Sequence, residues 1–225
     1  MWCEIAERRN LLLEDVPPLP STILTLPQGW LAPLESSILY MAGRELAGPF
    51  LEVGSWVGRS TVALAKGLQD RPAGDVPLFD TVDFGITSVE EWRKLLKGDP
   101  LGMREAETVL RTIYGRGGSI GELIENLQKY DVLKYVTTII RGNFLQIPIA
   151  RTYGFIFCDT LHDEREIELY APKLAGLLAS GGWVVCDDII DSRRAAMIQE
   201  ILDLEFYTLT NPISEYTKFL IGRRL

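Results

Sequence analysis

The chain has 225 residues, 47% hydrophobic and 24% charged, with a formal net charge of −8. That length and balance suit one α/β domain with a sizeable core. The acidic charge, with Arg193-Arg194 and Arg223-Arg224 as isolated pairs, argues against a nucleic-acid partner. No run has the apolar length of a membrane span.

Residues 1–48 form an N-terminal cap section. Pro17, Pro18, Pro20, Pro27 and Pro33 break it into short pieces, and 34–46 reads as a helix leading into the first strand. Residues 1–9 are too charged for a signal peptide, which predicts a cytoplasmic protein. Cys3, Cys158 and Cys186 have neither the even count nor the spacing of a disulfide or zinc framework. Cys158 and Cys186 lie in strand-like runs, where a free cysteine packs as a small hydrophobe.

The stretch from Pro49 to Lys66 reads as a short buried strand (50–53), a tight turn flanked by Gly54 and Gly58, and a helix that Ser60 or Thr61 can cap. Glycine tolerates positive φ and lets a ligand lie against bare amides at a helix N-terminus. The spacing Glu-x-Gly-x-x-x-Gly-x-Ser-Thr is not the Gly-x-Gly-x-x-Gly of dinucleotide binders.

Strand two spans 78–82 and ends in Asp83. An acid at a strand's carboxyl end can accept both hydroxyls of a ribose, so Asp83 is the expected nucleoside clamp. Asp80, its competitor, lies inside the apolar run and would need a partner. Residues 85–135 exceed what one crossover helix needs. They carry helical patterns at 89–96, 104–113 and 120–127, and both a lid and extra helical packing or a dimer surface are open readings.

Strand three spans 136–140. Asn143 follows it, placed either to contact an adenine or to shape a turn. Strand four spans 154–158 and ends in Asp159, with His162, the chain's one histidine, three residues on. After a helix at 164–178 and a turn at Ser180-Gly181-Gly182, strand five (183–186) ends in Asp187-Asp188. A helix at 192–204 and strands at 206–210 and 218–221 close the chain. The alternation implies a parallel sheet covered by helices on both faces.

Strands four and five lie side by side in such a sheet, which brings Asp159, Asp187 and Asp188 together. Three carboxylates repel, and a hard divalent cation such as Mg²⁺ relieves the repulsion. Asp191 is an alternative ligand. The structural alternative has Asp188 or Asp191 capping the next helix and Asp187 binding backbone amides. His162 titrates near neutrality and sits beside the acids, which makes it the candidate general base as well as an ordinary packing residue.

Taken together, Glu52-Val-Gly54-Ser55-x-x-Gly58-Arg-Ser60-Thr, Val82-Asp83, Cys158-Asp159-x-x-His162 and Leu178-x-x-Gly-Gly-x-x-x-x-Asp187-Asp188 resemble class I S-adenosylmethionine (SAM) methyltransferases. The nearest patterns are the macrolide-sugar O-methyltransferases, grouped as the methyltransferase-24 family, and catechol O-methyltransferase. The resemblance implies a Rossmann-like seven-stranded sheet, mostly parallel, with one antiparallel strand in its last pair. It implies SAM over the Gly54–Gly58 turn, with Glu52, Ser55, Ser60, Asp83, Asn143 and Asp159 around it. It also implies Mg²⁺ on Asp159, Asp187 and Asp188, and a proton acceptor at His162, which matches the placement of the catechol enzyme's lysine. The Asp-Asp pair fits the sugar-directed type better than the catechol type, which has Asp-Asn. Residues 85–135 have no counterpart in the pattern, and the N-terminal section is not diagnostic of it.

The expected activity is therefore Mg²⁺-dependent O-methylation of a small hydroxylated molecule. Trp56, Trp92, Trp183 and Tyr153 are candidates to line its pocket. The partner is the acceptor itself, with neither nucleic acid nor membrane, and a homo-oligomer is open. The alternatives are a metal-free methyltransferase acting, for instance, at nitrogen, a non-catalytic SAM-binding module, and a metal-dependent hydroxylase on the same scaffold.

Overall fold

A computed structural model describes residues 16, 18–20, 25–72, 74–96, 98–212 and 216–225. Cys3, Pro17 and the charged residues 1–9 lie outside the described residues. The chain builds one seven-stranded sheet in the order β3-β2-β1-β4-β5-β7-β6. The strands are β1 (Phe50–Val53), β2 (Phe79–Asp83), β3 (Thr138–Arg141), β4 (Tyr153–Cys158), β5 (Leu178–Cys186), β6 (Leu204–Leu209) and β7 (Leu220–Arg224). The first five run parallel, and β7 is antiparallel to both β5 and β6. This is the Rossmann-like methyltransferase arrangement expected from the sequence.

Successive strand residues feed opposite faces. Phe50, Phe155 and Phe157 enter a core closed by α1 (Pro33–Glu45) and α2 (Arg59–Gln69). Leu51, Val53, Ile156 and Cys158 enter the other, closed by α6 (Glu164–Leu177) and α7 (Ser192–Leu202). Burial on both sides is why these strands read as continuous apolar runs. Helices α1 and α2 touch backbone to backbone: a Cβ on Gly43 would lie 2.2 Å from the Leu64 carbonyl oxygen, and one on Gly67 2.1 Å from that of Tyr40.

Two boundaries differ in kind from the sequence expectation. Ser180-Gly181-Gly182 is not a turn ahead of strand five but an irregularity within β5. Its ladder with β4 slips between the pairs Tyr153↔Leu178 and Phe155↔Trp183, with Gly181 at φ +71°. The helix expected over 192–204 stops at Leu202, because Asp203 takes a left-handed conformation (φ +56°) that releases β6.

The 85–135 segment holds α3 (Val89–Leu96), α4 (Ala106–Tyr114) and α5 (Gly118–Lys129). Leu123 and Leu127 of α5 belong to the main core, so this helix is fixed packing. Ile86, Trp92, Val109 and Ile113 form a small separate core, against which Trp56 of the glycine turn packs. Among the described residues no helix is long and apolar enough to cross a membrane.

Candidate active site

The carboxyl ends of β1, β2, β4 and β5 open on the same edge of the sheet, and the functional side chains gather there. After β1, Gly54 (φ +93°), Trp56 (φ +47°) and Gly58 (φ +95°) adopt left-handed conformations that close the turn. Gly58 is the N-cap of α2 and supplies no side-chain cap. Ser60 and Thr61, expected as caps, point inward instead and hydrogen-bond Glu52. The first amides of α2 are thus left without a side-chain acceptor, which is the condition for receiving an anionic group.

Glu52 is fully buried. Its Oε2 accepts from Thr61 Oγ1 at 2.7 Å and Thr81 Oγ1 at 2.8 Å, so it ties β1 to α2 and β2 and shapes the turn from beneath. Among the described residues, Glu52 Oε1 and the hydroxyl of Ser55, itself 2% exposed, have no hydrogen-bond partner. Burial pushes the Glu52 carboxyl from the usual 4.5 up to about 7, against the hydroxyls of Ser60, Thr61 and Thr81.

A raised carboxyl pKa favours the folded state fully below about pH 4.5, and the benefit is lost as pH rises through 7. Glu52→Gln, which cannot ionise, should therefore gain on wild type between pH 5 and 8, by up to about 3 kcal/mol at roughly 1.4 kcal/mol per pKa unit. Urea denaturation at the two pH values reads the difference. A gap that does not change with pH would show that Glu52 ionises freely in the fold.

Asp83 closes β2. Its Oδ2 accepts from the Trp56 amide at 2.9 Å and its Oδ1 from the Gly85 amide at 2.8 Å. Each oxygen keeps a further lone pair for a ligand. Burial raises this carboxyl above the ordinary range, opposed by those amides. Asp80 is settled elsewhere, bound by Tyr153 Oη at 2.8 Å and Arg151 Nη1 at 3.0 Å. A cavity of about 20 Å³ lies between Gly54, Asp83, Phe84, Gly142, Phe144 and Tyr170. Asn143, beside it, spends its Oδ1 on the Leu145 amide at 3.0 Å as the cap of a short 3₁₀ turn.

Asp159 joins the two halves of the site. Its backbone carbonyl lies against Gly54, where an added Cβ would approach to 2.7 Å. Its carboxylate faces His162, with Oδ1 3.6 Å from Nε2. Asp188 Oδ2 lies 3.7 Å from the same nitrogen. Ligand atoms of Asp159, His162 and Asp188 all fall within 4.8 Å of one another. Asp187, expected among the ligands, is not in this group. It is 6% exposed and accepts the Asp188 amide on Oδ1 at 2.7 Å; burial first, then the charge of Asp159, raises its carboxyl. That bond accompanies Asp188 in a left-handed conformation (φ +61°). Asp191, the alternative ligand, caps α7 by accepting the Arg194 amide at 2.8 Å.

His162 Nδ1 bonds Glu166 Oε2 at 2.9 Å, which leaves Nε2 for the acidic cluster. The Asp159 carboxylate, helped by Glu166 and opposed by burial, raises its pKa to about 9. Three participants were not found by sequence reasoning. Glu166 follows His162 at i+4, a helical spacing that was visible. Lys218 hydrogen-bonds Asp188 Oδ1 through Nζ. Glu35, fully buried in α1, accepts the Lys218 amide on Oε1 at 2.6 Å.

The aromatic expectation divides. Trp56 stands between Trp30 and Trp92, at ring-centroid distances of 6.2 and 5.2 Å, over the glycine turn. Arg59 holds the segment carrying Trp30 through the Leu31 and Pro27 carbonyls, at 3.0 and 2.9 Å. Trp183 and Tyr153 belong to the core instead, Trp183 within β5 against Phe206 and Tyr153 at the start of β4 on Asp80.

A sequence family described as "Methyltransferase domain" matches residues 51–189. Among solved structures, the chain is similar to cofactor-bound Rv0187 from MTB (17% identity, 88% of this chain and 83% of that one, TM-score 0.50). It is likewise similar to the O-methyltransferase TomG from Streptomyces achromogenes in complex with SAM (14%, 88% and 82%, 0.52). A third similar structure is an O-methyltransferase family 2 protein from Planctomyces limnophilus in complex with apigenin (14%, 80% and 52%, 0.52). No curated protein matches the chain.

Proposed function

The chain belongs to this methyltransferase family and is a SAM-dependent methyltransferase, and from that premise we propose that it methylates an oxygen of a small hydroxylated molecule with the help of Mg²⁺. The observation that carries the reading is the double role of Asp159, whose backbone lines the glycine turn while its side chain enters the cluster with His162 and Asp188. A methyl donor on the turn and an acceptor at the cluster are then neighbours, and holding two reactants in line supplies much of the rate.

The residues fit SAM. Gly54 leaves a cradle that a Cβ would fill, Ser55 carries an orphaned buried hydroxyl, and α2 presents uncapped amides. The amides of α2 would receive the methionine carboxylate, and Asp83 the ribose hydroxyls. The donor set also fits a divalent cation. Asp159 and Asp188 would hold it beside His162, while Asp187 orients Asp188 rather than ligating. Bound there, Mg²⁺ would lower the pKa of an acceptor hydroxyl. His162 takes the hydroxyl proton on Nε2, with Glu166 fixing the ring. We read α3 and α4, whose small core holds Trp56, as the lid over the turn. We place the enzyme in the cytoplasm, where its free, buried Cys158 and Cys186 stay reduced.

Calorimetry tests the reading. The protein should bind SAM and its demethylated product, and Asp83→Ala should weaken both by ten- to a hundred-fold, the worth of a charged hydrogen bond of about 1.5–3 kcal/mol. Absence of binding by the wild-type protein would remove the proposal. Excess EDTA should stop turnover and added Mg²⁺ restore it, with SAM affinity unchanged. Full activity in EDTA would instead favour the metal-free reading.

A further inference from the structure

We propose that Lys218 is the resident cation of the acidic cluster, and that a divalent ion reaches Asp159 and Asp188 only by displacing it. The inference rests on the metal reading above and adds a residue that reading does not use.

The placement follows from the sheet. In the antiparallel ladder Cys186 pairs with Leu220. Continuing that register two residues beyond each strand sets Lys218 opposite Asp188. Both backbone groups of Lys218 are held: its amide donates to Glu35 Oε1 at 2.6 Å, and its carbonyl accepts from Ile189 at 2.9 Å. The side chain then has a short path to Asp188, whose Oδ1 accepts from Nζ. The charges of Asp187 and Glu35 also act on this ammonium. Lys218 thus satisfies electrostatically what the acids would otherwise demand of an ion.

The two cations compete for one carboxylate. Nζ holds Oδ1 while Oδ2 is the oxygen turned to His162 Nε2, so an ion on Oδ2 would share its carboxylate with the ammonium. A doubly charged ion about 5 Å from an ammonium is repelled by enough to cost roughly ten-fold in affinity even at the dielectric of bulk water. The exit is open, because the Lys218 side chain is 34% exposed and Asp188 32%. A flexible four-carbon stem lets the ammonium swing to solvent without moving its backbone.

The test uses the full chain and Mn²⁺, followed by the paramagnetic resonance signal of the free ion. Lys218→Met keeps the backbone bonds to Glu35 and Ile189 and should bind Mn²⁺ at least ten-fold more tightly than wild type. Lys218→Arg should stay within about three-fold of wild type. In the wild-type protein, acetic anhydride labelling of Lys218, read by mass spectrometry, should rise as Mn²⁺ is added; this arm needs no variant to fold. Equal Mn²⁺ affinity in wild type and Lys218→Met, or labelling that ignores Mn²⁺, would overturn the displacement while leaving the metal site standing. Loss of no free-ion signal by any of the proteins would overturn both. Calorimetry with SAM on the same samples reports separately on the methyltransferase reading.

Discussion

Gly54→Ala should abolish detectable SAM binding while leaving the protein folded. Two independent constraints meet at this position. The backbone stands at φ +93°, where an L side chain is strained by about 1–3 kcal/mol. The added Cβ would also lie 2.7 Å from the Asp159 carbonyl oxygen and 3.3 Å from the Asp159 Cβ. Neither neighbour is the free end of a flexible chain, so relief requires the β1 turn or the end of β4 to shift. The free turn relieves that strain by leaving the φ +93° conformation, and regaining it to hold SAM costs ten- to a hundred-fold at about 1.4 kcal/mol per ten-fold, to which the displaced Asp159 carbonyl, packed against the turn, adds. Calorimetric titration with SAM measures the effect, and thermal unfolding checks that the variant is folded. A folded Gly54→Ala protein that binds SAM within about three-fold of wild type would show that the ligand does not lie on this turn.

Most of the sheet could be read from the sequence because β1, β2, β4 and the second half of β5 are buried on both faces and so appear as mainly apolar runs, three of them ended by an acid, whereas β3 is exposed to half-buried. Asp83, Asp159 and Asp187-Asp188 marked strand ends for that reason. The chemistry beyond the strand ends was less visible. Asp187 and Asp188 are adjacent and chemically identical, and only the left-handed turn at Asp188 separates the residue that faces the cluster from the one that stays beneath it. Ser60 and Thr61 looked like helix caps, since a hydroxyl at a helix start usually turns to the backbone. The buried carboxylate of Glu52 competes for them and wins. Lys218 and Glu35 lie far from the motifs in sequence and reach the site through the antiparallel β5–β7 register and the packing of α1. Trp183 and Tyr153 were ambiguous for the opposite reason: an aromatic residue packed within or at the start of a strand and one near its exit read alike in the sequence.

His162→Gln should slow the chemical step by ~10²–10⁴-fold, the usual contribution of a positioned general base, and leave SAM affinity within about three-fold of wild type. The geometry favours this role. Glu166 takes Nδ1 at 2.9 Å, so Nε2 is the nitrogen turned to the cluster. The acceptor's O–H bond breaks as its oxygen takes the methyl from sulfur, and the proton has Nε2 to go to. The objection is the raised pKa of about 9, which leaves the ring mostly cationic at neutral pH. The sulfonium of SAM answers it, because a like charge brought close disfavours the protonated ring. Glutamine can keep a hydrogen bond to Glu166 and fill most of the volume but cannot accept the proton. Single-turnover kinetics with SAM prebound isolates the step. If His162→Gln transfers methyl at the wild-type rate but unfolds more easily, the imidazole is a structural bridge between Glu166 and Asp159. The proton must then leave by water.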